Sequence, residues 1–166
     1  MSEFAEPFSA RVITGLLGLD NELWPKVADL ATKLGYVFSV TIKEDLPLIE
    51  EGLQGILDIS NELIRKSRLS SKDDFVGTLL KATLDGKAIT DEELLSLVSL
   101  LIFAGFDTTR NQIGLGIKTF SKHPKQWRLL GENPDLARVA VEEIMRVNPT
   151  ITWVSRETSV DIEYKE

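Results

Sequence analysis

The sequence predicts an all-α fold around one long buried central helix, with a short β element at the C-terminus. Three observations predict it. Apolar residues recur at three- and four-residue spacing through most of the chain, Gly and Pro punctuate these stretches, and one run, Asp91 to Lys122, carries the pattern without a proline.

The elements follow in order. Pro7 to Leu17 carries apolar residues at 8, 12, 13, 16 and 17, and Gly18 stands as its stop. A second helix is expected from Asp20 to Leu34, with Leu23, Val27, Leu30 and Leu34 on one face and Gly35 just past its end. Tyr36 to Ile42 reads either as a strand, from its β-branched and aromatic content, or as a short apolar connector. Pro47 to Ser67 forms a long helix with Leu48, Leu53, Ile56, Leu57, Ile59, Leu63 and Ile64 largely on one side. Ser70 to Asp74 is a polar loop that caps a helix from Phe75 to Leu84, and Asp85-Gly86-Lys87 is a turn.

Thr90-Asp91-Glu92-Glu93 is a capping box that opens the longest helix. The first half of that helix, Leu94 to Phe103, is apolar nearly all round, as expected of a helix buried through a domain. His123-Pro124 ends it. Two shorter helices follow, Lys125 to Leu130 and Leu136 to Val147, and Asn148-Pro149 closes the second. The tail Ile151 to Tyr164 has strand-like composition.

Composition bounds the function. A chain of 166 residues with 43% apolar and 27% charged residues and a net charge of −7 fits one globular domain and argues against nucleic acid as a partner. Residues 111–156 are mildly basic, too weakly to argue for phosphate binding. With no cysteine, the chain offers no disulfide, thiolate nucleophile or thiolate metal ligand, and its single histidine leaves little for a metal site or a catalytic triad. The N-terminus lacks the basic and apolar regions of a signal peptide, and the Leu94–Phe106 stretch is too short to span a bilayer. A cytoplasmic protein without membrane contact is expected.

Three groups of residues could carry chemistry. In Ala104-Gly105-Phe106-Asp107-Thr108-Thr109, helical spacing puts Leu101, Ala104, Gly105, Thr108 and Gln112 on one face. The two small residues would let a flat object approach the backbone, Thr108 would offer it a hydroxyl, and Asp107 an ionisable group. The same residues could instead break the helix, with Gly105 ending one segment and Asp107 capping the next. Glu143 and Arg146 are i, i+3 partners, by themselves an ordinary surface pair. Arg156, after Trp153-Val154-Ser155, is an isolated cation in the tail.

In this order and separation the three groups resemble the cytochrome P-450 family of haem-thiolate monooxygenases, soluble bacterial type. Ala104 to Thr109 is similar to the oxygen-binding motif of the family's central helix, and Glu143-Ile144-Met145-Arg146 to its Glu-x-x-Arg motif. Arg156 stands where the family carries an arginine that pairs with a haem propionate. His123-Pro124 and the Phe8–Gly18 segment are less specific matches.

The resemblance implies haem as cofactor and the hydroxylation of a small apolar substrate with an electron-donor protein as partner. Thr108 would hold dioxygen and relay protons, and Asp107 would feed that relay. Ala104 and Gly105 would lie against the haem face, while Leu101 and Thr152 would line a substrate pocket roofed by Tyr36 to Ile42. Glu143 and Arg146 would be a core ion pair serving folding and haem loading, and no residue of this chain would bind metal directly. The family's axial cysteine has no counterpart here, nor do its other propionate-binding helix and the loop that completes the Glu-x-x-Arg network. The expectation is therefore one partial domain, residues 1–166: a truncated central segment, inactive alone. The alternatives are a non-catalytic interaction module and a half-enzyme completed by a second chain. Its bare apolar helix would favour self-association through Leu101, Ala104, Gly105 and Thr108.

Overall fold

A computed structural model describes residues 2–70, 74–84 and 87–163. The expected turn at Asp85-Gly86, residues 71–73 of the polar loop and Tyr164 lie outside these. The chain divides into two compact units, Met1–Gly114 and Leu115–Glu166.

The first unit opens with α1 (Ala5–Leu17), which ends on Gly18 in the left-handed region at φ 76°, a conformation that glycine adopts without penalty. A 3-10 turn, Asn21–Leu23, capped by Asp20, leads into α2 (Trp24–Gly35). Gly35 is the last helical residue and not the first beyond it. Tyr36–Phe38 form a second 3-10 turn, so the connector reading of Tyr36 to Ile42 holds and the strand reading fails. α3 (Leu46–Leu69) has Pro47 in its first turn and Lys66 and Arg68 in its last, where the cations face the negative helix end. Asp74 caps α4 (Phe75–Leu80), accepting the Gly77 N–H at 2.7 Å.

α4 stops short of Leu84 because Thr83–Leu84 (β1) pairs antiparallel with Lys87–Ala88 (β2). The short β element thus lies here; the tail expected to carry it has no strand in residues 148–163. A strand needs a partner edge, and the tail pairs with none among the described residues.

α5 (Asp91–Lys122) opens on the expected capping box: the Thr90 N–H donates to Glu93 Oε2 at 2.8 Å and the Glu93 N–H to Thr90 Oγ1 at 3.2 Å. The bond from the Thr90 N–H, joined by one from its hydroxyl, holds the Glu93 carboxyl below its ordinary range. The helix runs unbroken through Gly105 and Asp107, so the helix-break reading fails.

Its burial is narrower than the all-round apolar composition suggests. Leu94, Val98, Ile102 and Phe106, spaced by four, are buried, whereas Leu100 on the opposite face is 58% exposed. The buried stripe joins Ala10, Ile13 and Leu17 of α1, Val27 and Leu30 of α2, and Ile56 and Leu63 of α3 in one core. Two buried serines tie α3 to α5: the Ser99 hydroxyl donates to Ser60 Oγ at 3.0 Å, and Ser60 donates to the Ile56 carbonyl at 2.8 Å. α2 and α3 approach closely at Gly52, where a Cβ would lie 2.6 Å from the Leu34 nitrogen.

The second unit contains the end of α5, α6 (Pro124–Glu132), a 3-10 turn Pro134–Leu136 and α7 (Ala137–Val147). Neither α6 nor α7 buries a residue. Phe120 and Trp127 meet with ring centroids 4.7 Å apart. No described helix is long and apolar enough to cross a membrane.

Candidate functional site

The central candidate lies on α5 opposite the buried stripe. Helical spacing puts Leu97, Leu100, Leu101, Ala104 and Thr108 on this side. Ala104 is exposed, and Leu101 and Thr108 are partly buried. The Thr108 hydroxyl donates back to the Ala104 carbonyl at 2.7 Å, a bond threonine makes readily within a helix. Ala104 and Thr108 are therefore brought together in one exposed strip backed by a packed core.

Gly105 faces elsewhere. A Cβ there would sit 2.6 Å from Ile13 Cδ1, so its lack of a side chain admits α1. The face expected to join Ala104 and Gly105 is divided: Ala104 stays open while α1 covers Gly105.

Asp107 is also committed. Its Oδ1 accepts from Arg110 Nη2 at 2.5 Å and its Oδ2 from Asn111 Nδ2 at 3.2 Å. Arg110 reaches Thr32 Oγ1 of α2 at 3.0 Å and lies 3.5 Å from Glu6 Oε2 of α1. Its guanidinium stacks 4.9 Å above the buried Phe106 ring. Sequence reasoning missed Arg110, although the signal was there in Asp107-x-x-Arg110, a spacing that places the two charges side by side on a helix.

Apolar residues also gather in the connector. Phe38 is 78% exposed and stacks on Phe103 of α5 with centroids 6.1 Å apart.

In the second unit Glu143 and Arg146 form a two-pronged pair, with Nε–Oε2 and Nη2–Oε1 both 2.7 Å. The hydrogen bond from Arg146 draws the Glu143 carboxyl below its usual range. Both side chains are more than half exposed. Among the described residues nothing packs over the pair. Thr152 and Arg156 are exposed in the irregular tail, where Arg156 donates to the Ser155 carbonyl at 2.8 Å. His123 is exposed at the start of α6. Among the described residues no group of three or more His, Asp or Glu could hold a metal ion.

A helical chain built on a long central helix, with an Ala-Gly-x-Asp-Thr segment open on one side and a Glu-x-x-Arg helix after it, has the features of the cytochrome P450s. The comparisons agree: over nearly all its length this chain is related to bacterial cytochrome P450s, whose cofactor is haem. It is 33% identical to luteothin monooxygenase of Streptomyces thioluteus, across 91% of this chain and 37% of that protein. It is 30% identical to the polyketide biosynthesis cytochrome P450 PksS of Bacillus subtilis, across 99% of this chain and 40% of that protein. The crystal structure of CalO2 superposes with a TM-score of 0.83 at 29% identity, across 98% of this chain and 41% of that one. No family model matches. The chain thus spans about two fifths of the relatives it matches.

Proposed function

We propose that this chain is the central part of a haem-dependent monooxygenase acting on a small, mainly apolar substrate, with α5 presenting one side of the reaction site. The observation that carries the reading is the strip of exposed Leu100 and Ala104 with partly buried Thr108, on a helix whose opposite side is anchored in the core. Such a strip fits one face of a haem, since it is flat at Ala104, apolar at Leu100 and Leu101, and polar only at Thr108. The other face needs an axial thiolate, and this sequence has no cysteine. The ligand must come from outside these residues, and the chain alone is inactive.

When bound, haem supplies oxygen activation and the insertion of one oxygen atom into a carbon–hydrogen bond. The chain's own residues supply the surroundings. Leu100 and Leu101 exclude water and favour apolar substrates. The Thr108 hydroxyl, rotated off the Ala104 carbonyl, can hold or pass a proton at Oγ1, and Asp107 can supply it. Thr152 contributes to the substrate pocket, Arg156 offers a cation for a propionate, and Glu143–Arg146 supports folding and haem loading. An electron-donor protein and a cytoplasmic setting complete the picture. Without haem, the uncovered strip favours self-association through Leu101, Ala104 and Thr108, which sedimentation at micromolar concentration reads as a dimer.

Absorption spectroscopy tests the reading. The chain mixed with haem alone should give no red-shifted band with carbon monoxide after reduction. Adding a polypeptide with the cysteine-bearing C-terminal segment of PksS should produce it. Absence of the band with every such partner would leave an interaction module as the better account.

A further inference from the structure

Although α7 buries no residue of its own, its last turn is fastened to the end of α5 at two points. The first is apolar. Gly116 is buried, and a Cβ there would meet Ile144 Cδ1 at 3.5 Å, so the bare backbone seats that side chain. The second is polar. Asn148 Nδ2 donates to Thr119 Oγ1 at 3.3 Å, and the Thr119 hydroxyl donates in turn to the Leu115 carbonyl at 2.8 Å. With its proton given to Leu115, Thr119 Oγ1 presents lone pairs towards α7, and the Asn148 amide supplies the donor they need.

Asn148 is also where the helix ends. Its N–H closes α7 on the Ile144 carbonyl at 2.8 Å, and its φ of −144° and ψ of 69° lie outside the helical region. Pro149 follows and restricts the same residue further. Asn148 is thus held by its backbone on one helix and by its side chain on another. Two such anchors set the orientation of its Cα, and with it the bond from which the tail departs.

We propose that Asn148 is a positioning residue that takes its bearing from Thr119 and so fixes the direction in which the tail carrying Thr152 and Arg156 leaves α7. This rests on the functional reading above, since that direction matters to the reaction only if Thr152 lines the substrate pocket and Arg156 meets a haem propionate. Removing either member of the Asn148–Thr119 pair leaves the backbone anchor alone, and the tail swings about it.

A pair of spin labels tests the joint in the chain itself, because a sequence without cysteine accepts labels only where they are introduced. Lys122→Cys at the end of α5 and Ile151→Cys just past Pro149 are both at exposed positions. The distance between nitroxides there, read by pulsed electron spin resonance, should have one narrow distribution. Thr119→Val and Asn148→Leu should each broaden it, and the double variant should broaden it no further, as expected when both remove one shared bond. Thr119→Ser keeps the hydroxyl and should keep the narrow distribution. A broad distribution before either substitution, or a narrow one in Thr119→Val, would overturn the proposal. If Asn148→Leu does not fold, the two substitutions at Thr119 still decide.

Haem loss separates the joint from the functional reading. In a haem-loaded chimera in which this chain replaces its matching segment of PksS, Arg156→Gln should speed haem transfer to apomyoglobin about tenfold, the scale of one charge-assisted hydrogen bond. Thr119→Val should speed it as well, and should add nothing once Arg156 is gone, which a general loosening of the fold would not reproduce. No change with Arg156→Gln defeats the functional reading of the tail. Faster loss with Arg156→Gln, joined by an unchanged or fully additive effect of Thr119→Val, defeats the positioning role alone.

Discussion

The two units use the same sequence grammar with different results. In the first, apolar residues at helical spacing meet those of neighbouring helices, and Phe106, Ile102, Val98, Ile56, Val27 and Leu17 are fully enclosed. In the second, α6 and α7 carry an equally clear apolar face, yet neither buries a residue and Val139 is 66% exposed. Between the end of α5, α6 and α7 lies an open groove of about 430 Å³ lined by Phe120, Leu129, Leu136, Ala140 and Ile144. The difference teaches that periodicity identifies which face of a helix is made for contact, while burial depends on what meets it. It also separates the two motifs: the Ala104–Thr108 strip stands on a finished core, and the Glu143–Arg146 pair on a helix without one.

The sharpest way to break this contrast is to cut into each unit. Phe106→Ala should cost about 3–5 kcal/mol in denaturant unfolding, the scale for removing a large enclosed ring. Val139→Ala should stay within about 0.5 kcal/mol, as expected where no packing is lost. Comparable losses would show that the second unit is packed as tightly as the first.

Glycines give a smaller but sign-changing test. Gly52→Ala should destabilise by about 1–3 kcal/mol, because the new methyl meets the backbone of Leu34 and Leu30, which cannot swing aside. Gly131→Ala meets nothing within 4 Å and should raise stability by up to about 1 kcal/mol through helix propensity. Thermal unfolding of both variants checks the signs. Thr90→Ala, which removes the cap of α5, should cost about 1 kcal/mol by the same measurement.

The smallest effect concerns acid. A carboxyl drawn below its ordinary range stabilises fully above that range and loses the contribution as pH falls through its depressed value. Glu143 should therefore titrate below ordinary glutamates in a carbon-13 NMR titration, and Arg146→Gln should return it to them. Unfolding of the first unit should not respond to that substitution.

Much of the helical frame was legible in the sequence, because its signals are local. Gly18 as a stop, Asp74 as a cap and the Thr90 capping box each act within a few residues of where they stand. The short β element was misplaced because strand composition in the tail says nothing about whether a partner edge exists. On α5 the directions of the candidate residues were not legible. Composition could not show that Gly105 faces Ile13, or that Asp107 is bound to Arg110, since both depend on how α1 and α2 cross the helix. Leu100 makes the same point: an all-round apolar run need not be buried all round.

The Ser60–Ser99 bond has a mechanical consequence. Sliding α5 along α3 by one turn, about 5.4 Å, would carry the Ser99 hydroxyl past its acceptor and lose the bond between the helices. The same slip would drive a bulkier residue than Gly105 against Ile13. The two serines act as a detent that admits one axial setting. α5 is thus a fixed post and not a piston, and displacements within the first unit fall to the helices that lean on it.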